Sequence, residues 1–143
     1  MEYRYLGRSG LRVSSLILGT MTFGGDGAFA STGSTDVTGA GRQIDMCIDA
    51  GVNMLDTADI YSAGKSEEII GEVLDDARRR RIMLATKARF PTGDRGVNER
   101  GLSRQHLIRA CEDRCATSKC CTTSWRNWSP SPRHGASPRR KWR

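Results

Sequence analysis

Short apolar runs alternate with amphipathic stretches along the first 114 residues of the chain. Three runs predict strands: residues 14–20 (SSLILGT), 52–58 (VNMLDTA) and 81–88 (RIMLATKA). Their nearly continuous apolar character is typical of strands that are buried on both faces of a parallel sheet. Periodicity alone does not separate such runs from helices, so the segments between them decide the interpretation.

Those segments repeat apolar residues at helical spacing. The first helix is predicted between a capping residue, Asp36, and a stop at Gly51, and the second is predicted to start at an N-cap, Ser66. A third helix is predicted to start after Ser103. The residues expected to face the core are Val37, Ala40, Ile44, Cys47 and Ile48 in the first helix, Ile69, Ile70, Val73 and Leu74 in the second, and Leu107, Ile108 and Cys111 in the third.

The resulting order is strand, helix, strand, helix, strand, helix, in units of about thirty residues. This order predicts an α/β fold with right-handed crossovers and a parallel sheet. Ahead of it, EYRYLG and LRVSS flank Arg8, Ser9 and Gly10 and predict a small hairpin.

The last 29 residues differ from the body in charge and composition. Residues 115–143 hold seven of the 23 Lys and Arg residues and no acids, so residues 1–114 carry 16 basic and 16 acidic residues and the net charge of +7 lies in the tail. The tail is rich in Ser, Pro and Arg and has no apolar run. We therefore predict two regions, a folded body at 1–114 and a disordered basic tail at 115–143.

Cysteine usage and the apolar runs bear on the compartment. The five cysteines form no Cys-x-x-Cys pair, which favours reduced thiols over a disulfide framework or a metal site. Cys111, Cys115, Cys120, Cys121 and His134 have irregular spacing that matches no tetrahedral zinc pattern. The beginning of the chain lacks the apolar core of a secretory signal, and no long apolar run is present, so we expect a cytoplasmic protein without a membrane partner.

Polar residues end each predicted strand, at the edge where (β/α) proteins collect their functional groups. Asp56 ends the second strand, Lys87 ends the third, and Tyr61 follows in the loop after the second. A buried carboxylate and ammonium can offset each other's desolvation, and an ammonium beside a tyrosine favours the phenolate, which suits general acid or base catalysis. Taken singly, Asp56 also fits a loop hydrogen-bond acceptor, Lys87 a solvated lysine, and Tyr61 a core residue.

The stretches ILGTMTFGG, GVNMLDTADIYSAGKSEEIIGEVL and IMLATKARF closely resemble the aldo-keto reductases over residues 1–113. The resemblance implies part of a (β/α)8 TIM barrel: an N-terminal hairpin plus three βα units. It also implies that the protein is an oxidoreductase that reduces aldehydes or ketones with NADP(H).

Family roles carry over to the matching positions. Tyr61 matches the proton donor to the substrate carbonyl, Lys87 the lysine that favours its phenolate, and Asp56 the carboxylate paired with that lysine. The cofactor-binding positions implied by the resemblance are Gly19, Thr20, Met21 and Asp56.

The resemblance also implies a catalytic histidine after a fourth strand and cofactor loops after later strands. The two histidines are His106, predicted to have a packing or solvent-facing role inside the third helix, and His134, in the tail. A complete barrel takes about 250 residues. We therefore expect the N-terminal portion of an aldo-keto reductase, truncated or frame-shifted near residue 114 and inactive or impaired as a catalyst.

Two other interpretations remain open at this point. The chain could be a non-catalytic fragment whose basic tail, with Trp125, Trp128 and Trp142, binds nucleic acid or another polyanion. It could also be a folded piece that associates through the open edges of its sheet. Seven dispersed charges without a fold support only weak, salt-sensitive binding, so the expected partner is a small carbonyl substrate.

Overall fold

The computed structural model describes residues 1–92 and 96–117. A hairpin of β1 and β2 precedes three strands that alternate with helices, and single 3-10 turns lie at Gly27–Phe29 and Tyr61–Gly64. The elements are β1 (Tyr3–Tyr5), β2 (Arg12–Ser14), β3 (Leu18–Gly19), α1 (Val37–Asp49), β4 (Met54–Asp56), α2 (Lys65–Val73), α3 (Asp76–Arg79), β5 (Met83–Ala85) and α4 (Arg104–Thr117).

The three later strands form a parallel sheet in the order β3-β4-β5, and β1 and β2 pair antiparallel. The register places Gly19 beside Asp56, and Asp56 beside Ala85, so the carboxyl ends of all three strands share one edge. The predicted alternation of strands and helices in a parallel sheet is confirmed.

Helices α1 and α2 pack on one face of this sheet and form the core with it. Ile44 of α1, Leu55 of β4 and Ile70 of α2 have no exposed surface. Each buried side chain of this size contributes about 1.5–3 kcal/mol relative to an exposed one. The core positions predicted for α2 are confirmed, whereas in α1 Val37 remains 37% exposed and Cys47 is only partly buried.

Local signals fix both ends of α1. Asp36 Oδ1 accepts a hydrogen bond of 2.7 Å from the backbone N–H of Gly39, as expected of an N-cap. Gly51 follows the C-cap with a φ of 87°, a backbone conformation that glycine adopts without the steric cost of a side chain. Both sequence predictions are confirmed.

The predicted bounds of the strands and of α2 are wrong. The second and third strands, predicted at 52–58 and 81–88, are reduced to Met54–Asp56 and Met83–Ala85, so Lys87 follows its strand by two residues. The first strand, predicted at 14–20, is reduced to Leu18–Gly19, and Leu16 and Ile17 are 64% and 48% exposed because no described element covers them. Ser66 is not the N-cap of α2, which begins at Lys65 after Gly64. Its hydroxyl is buried and bonded to Thr20 instead, so a tertiary contact replaces the predicted local one.

The face predicted for the third helix is also wrong. Helix α4 starts after Ser103 as predicted, but Leu107 and Ile108 are 42% and 38% exposed, Cys111 is exposed, and His106 is the buried residue. Among the described residues no helix or strand packs extensively on α4, so its apolar side has nothing to cover it. The helix runs three residues past the predicted boundary at 114, and the rest of the predicted tail, 118–143, lies outside the described residues.

Within residues 1–92 and 96–117, no helix is long and apolar enough to cross a membrane.

Candidate active site

An ion pair lies at the carboxyl edge of the sheet, where β4 and β5 end. The Nζ of Lys87 donates to Asp56 Oδ2 at 2.7 Å and to the backbone carbonyl of Thr57 at 2.8 Å. The backbone holds this geometry, because the N–H of Asp59 donates to the carbonyl of Lys87 at 3.1 Å and keeps the two chain segments side by side.

The pair is more open to solvent than the sequence suggested. The side chains of Asp56 and Lys87 are 42% and 49% exposed, whereas a buried Asp56 was predicted. The strand is buried at Leu55, but its last residue lies on the rim, where the described helices do not reach. At this exposure an ion pair adds only about 0.2–1 kcal/mol to stability, so stability alone gives little reason for the pair.

Tyr61 meets the lysine from the loop after β4. The Nζ of Lys87 lies 5.0 Å from the centroid of the Tyr61 ring, within the range of a cation–π contact. Partial burial opposes the positive charge of Lys87, but hydrogen bonds with Asp56 and Tyr61 outweigh it, so the pKa of Lys87 is raised above its ordinary value. The ammonium form therefore persists beside Tyr61 through neutral pH.

Exposure differs among the residues at and just after the end of β3, namely Gly19, Thr20 and Met21. At Gly19 an added Cβ would meet nothing within 4 Å, so this edge of the rim is open space. Met21 is 42% exposed. Thr20 has no exposed surface, and its hydroxyl donates to the carbonyl of Asp56 at 3.2 Å, which ties β3 to β4 directly beneath the site. A cofactor contact at these residues stays a prediction.

A buried group of hydroxyls that the sequence did not reveal supports the rim from below. Ser66 Oγ lies 2.8 Å from the carbonyl oxygen of Thr20, 3.0 Å from its hydroxyl and 3.4 Å from the hydroxyl of Thr57. Ser66 has no exposed surface and Thr57 very little. These bonds join α2 to the ends of β3 and β4. A buried hydroxyl needs such partners, but one sequence does not indicate which ones it finds.

The turn after Tyr61 is a second feature that sequence reasoning missed. Ser62 and Ala63 both have positive φ, 50° and 55°. Such left-handed conformations cost a residue with a side chain roughly 1–2 kcal/mol each, so the surroundings must hold them in place. The only local signal is Gly64, the single residue of this turn that tolerates positive φ freely.

A pocket of about 470 Å³ opens beside Tyr61 and Lys87. Its walls are mainly apolar and include Phe90 and Leu102, which are 55% and 69% exposed. The lining consists of Ala58, Asp59, Ile60, Tyr61, Lys87, Ala88, Arg89, Phe90 and Leu102. A pocket that is apolar apart from a few convergent polar groups is typical of small-molecule sites.

His106 contacts a different set of residues. It is 3% exposed, and its Nδ1 lies 3.9 Å from Glu99 Oε2, while Glu99 also pairs with Arg109. Neither ring nitrogen has a hydrogen-bond partner among the described residues. The predicted packing role fits this burial better than the solvent-facing alternative.

Strands, helices and rim residues together define an α/β protein with a parallel sheet and a lysine, tyrosine and aspartate at its carboxyl edge. The pattern of the Aldo/keto reductase family matches residues 15–120, and the chain belongs to this family of oxidoreductases. The membership confirms the predicted fold class, part of a TIM barrel.

Relatives and solved structures agree with this assignment. A rice protein (Oryza sativa subsp. japonica) named "Probable voltage-gated potassium channel subunit beta" is 40% identical over 109 residues, which are 76% of this chain and 31% of that protein. An aldo-keto reductase of Bacillus halodurans, solved in its holo form, is 35% identical with a TM-score of 0.63, covering 82% of this chain and 36% of that one. The thermostable aldo-keto reductase Tm1743, solved with the inhibitor epalrestat, is 28% identical with a TM-score of 0.60, covering 82% and 38%. The chain thus spans about a third of the length of these relatives.

Proposed function

We propose that the chain carries the proton-donating site of an NADP(H)-dependent reductase of aldehydes or ketones. The observation that carries the proposal is the position of Lys87, whose Nζ bonds to Asp56 Oδ2 at 2.7 Å and contacts Tyr61, with both Lys87 and Tyr61 lining an apolar pocket. Three complementary groups from two strand ends and one loop converge on one point.

Each group has a distinct task in this proposal. The hydroxyl of Tyr61 gives its proton to the carbonyl oxygen of the substrate as that oxygen gains negative charge. Lys87 stabilises the negative charge left on the tyrosine oxygen, and its raised pKa keeps it protonated while it does so. Asp56 holds the ammonium in place and balances its charge.

The described residues fit the nicotinamide end of the cofactor. Gly19 leaves open space on the rim next to Asp56, and Met21 adds a half-exposed apolar side chain. Gly19 and Met21 would line the ring, and Asp56 would lie at its edge. When bound, NADP(H) supplies the hydride, and the protein supplies position and electrostatics.

The pocket suggests small carbonyl compounds with an apolar substituent as substrates. Ile60, Phe90 and Leu102 contribute apolar lining, and Tyr61 and Lys87 contribute polar groups, alongside Asp59 and Arg89. A carbonyl oxygen directed toward Tyr61 leaves the rest of such a molecule on the apolar side. Small alkyl or aromatic aldehydes satisfy both requirements.

We further propose that the 143-residue chain turns over slowly. The resemblance implies a histidine after a fourth strand, whereas the parallel sheet has three strands among residues 1–92 and 96–117. Within those described residues, Tyr61, Lys87 and Asp56 would act without that donor. A single hydrogen-bond donor to a developing oxyanion contributes about 10²–10³ in rate, so the expected loss is of that order.

Cofactor binding and turnover test the proposal together. We expect the purified chain to quench or shift NADPH fluorescence, to bind NADPH more tightly than NADH, and to oxidise NADPH slowly with benzaldehyde. Epalrestat, which the Tm1743 structure contains, serves as a competitor. Tyr61→Phe should abolish turnover and leave NADPH binding unchanged, since it removes the hydroxyl but keeps the ring.

Tyr5→Phe is the matched control, because Tyr5 is 69% exposed on the hairpin and takes no part in the site. Equal turnover by the Tyr61→Phe and Tyr5→Phe variants contradicts the assigned proton donor. Absence of NADPH binding at millimolar cofactor contradicts the proposed function as a whole.

A further inference from the structure

The backbone turn that follows Tyr61 has an unfavourable conformation and contains a buried hydroxyl, that of Ser62. Ser62 is 1% exposed and has φ 50° and ψ 42°, and Ala63 repeats this conformation. Two successive left-handed residues with side chains do not persist without outside support.

The support comes from the loop between β3 and α1. Ser62 Oγ donates to the carbonyl of Phe23 at 3.0 Å and accepts from the N–H of Gly25 at 2.9 Å. Gly24 approaches so closely that an added Cβ would lie 2.8 Å from the Cβ of Ser62. A side chain at position 24 would therefore clash with Ser62, so this close approach requires a glycine there.

The same loop also contacts the tyrosine ring. Phe29 packs edge-on against Tyr61, with 5.6 Å between ring centroids and an interplanar angle of 67°. The loop between β3 and α1 thus contacts Tyr61 in two ways: Phe29 packs on its ring, and Phe23 and Gly25 bond to Ser62, the next residue in the backbone. Lys87 lies 5.0 Å from the centroid of that ring.

We propose that Ser62 is a positioning residue, whose bonds to Phe23 and Gly25 hold the turn that keeps the Tyr61 hydroxyl within reach of Lys87. Ser62 acts through the backbone and touches no reacting atom. The proposal rests on the proposed function of Tyr61 as proton donor. It predicts a loss of geometry at Tyr61 that a merely structural serine would not produce.

Ser14 is a matched control for such a merely structural role. It is 2% exposed, its hydroxyl donates to the carbonyl of Leu16 at 2.6 Å, and it accepts from the N–H of Asn53 at 3.2 Å. Burial and the number of hydrogen bonds are therefore the same as for Ser62. Ser14 lies in the hairpin strand β2, remote in the sequence from Tyr61.

The first measurement needs no turnover. In the full chain, we expect nuclear Overhauser cross peaks between the Tyr61 ring and both the Phe29 ring and the Lys87 side chain, given the 5.6 Å and 5.0 Å separations. The Tyr61→Phe variant assigns them among the three tyrosines. We expect Ser62→Ala to weaken these cross peaks several-fold and Ser14→Ala to leave them unchanged. If Ser62→Ala does not fold, Ser62→Gly replaces it, because glycine adopts the left-handed turn freely while still lacking the hydroxyl.

The second measurement separates kcat from KM for NADPH-dependent reduction of benzaldehyde. We expect Ser62→Ala or Ser62→Gly to lower kcat about tenfold or more with little change in KM, since a misplaced proton donor affects the chemical step. Ser14→Ala should keep the wild-type kcat.

Cross peaks that survive in the Ser62 variants, or that are lost equally in Ser14→Ala, overturn the positioning role. An unchanged kcat in a Ser62 variant with lost cross peaks overturns its link to catalysis. If the wild-type chain shows no turnover, the proposed function fails, while the cross peaks still decide whether Ser62 positions Tyr61.

Discussion

Replacing Lys87 with methionine removes the ammonium group and keeps a side chain of similar length. The variant loses the 2.7 Å bond to Asp56, the 2.8 Å bond to Thr57 and the contact with Tyr61. Both members of the ion pair are about half exposed, so water replaces the lost partners and stability should fall by only about 0.2–1 kcal/mol.

The expected effect on catalysis is much larger. Proton transfer assisted by a positioned group contributes about 10²–10⁴ in rate, which corresponds to about 3–5 kcal/mol. Without the ammonium group, the negative charge that forms on Tyr61 loses its partner. The loss of activity should therefore exceed the loss of stability by several kcal/mol, at a roughly constant amount of folded protein.

Lys65→Met gives the matched comparison. Lys65 pairs with Glu68 at 2.9 Å, and the two side chains are 43% and 47% exposed, so this pair resembles that of Lys87 in distance and exposure. Urea unfolding should give similar free energies for both variants. The decrease in NADPH absorbance that follows addition of benzaldehyde should disappear in Lys87→Met and persist in Lys65→Met. Equal rates for the two variants, or a Lys87→Met protein less stable than Lys65→Met by more than about 2 kcal/mol, would refute the reasoning.

Three further predictions concern the loop before α1, the N-terminus of α1, and an ion pair between α1 and α3. Gly24→Ala places a Cβ at φ 100° and 2.8 Å from the Cβ of Ser62. Gly27→Ala is the control, because its φ is also positive but nothing lies within 4 Å, so left-handed strain alone should lower its stability by roughly 1–2 kcal/mol. Urea unfolding should show a larger loss of stability for Gly24→Ala. Asp36→Ala should cost about 0.5–2 kcal/mol in the same assay, and Asp36→Asn much less, because the amide oxygen still caps α1. The hydrogen bond from Arg78 lowers the pKa of Asp45 in the folded protein. The pair therefore stabilises the folded state fully above the pKa of the unfolded chain, about 3.9, and this stabilisation is lost as the pH falls through the lower pKa of the folded state. Asp45→Asn should therefore weaken the acid dependence of stability, and an unchanged acid profile would contradict the assigned pair.

Local chemistry in the sequence was enough to predict several elements. The cap at Asp36 and the stop at Gly51 depend on residues only a few positions away, and the structure shows both. The meeting of Asp56 and Lys87 was also predictable, because parallel strands bring their carboxyl ends to one edge.

Features that depend on distant partners were not predictable. Ser66 has the sequence signal of an N-cap, but its hydroxyl bonds to Thr20, 46 residues away, and the observed N-cap is Gly64, two residues earlier. The positive φ of Ser62 depends on Phe23 and Gly25, which lie on another loop. Leu16 and Leu107 were expected to be buried, yet burial requires a covering element that periodicity cannot supply.

Strand β4 continues at its opposite end into Asn53, which fastens the N-terminal hairpin to the sheet. The side-chain oxygen of Asn53 accepts from the N–H of Ser14, its amide donates to the carbonyl of Arg12, and Tyr3 reaches the carbonyl of Gly51, across 39 to 48 residues of sequence. A β-hairpin forms within microseconds. This hairpin can dock on the sheet only after β4 has formed, because docking closes the long loop between the hairpin and Asn53. We therefore expect the hairpin to attach late during folding and to detach first in native-state hydrogen exchange, while the rim around Asp56 keeps its protection.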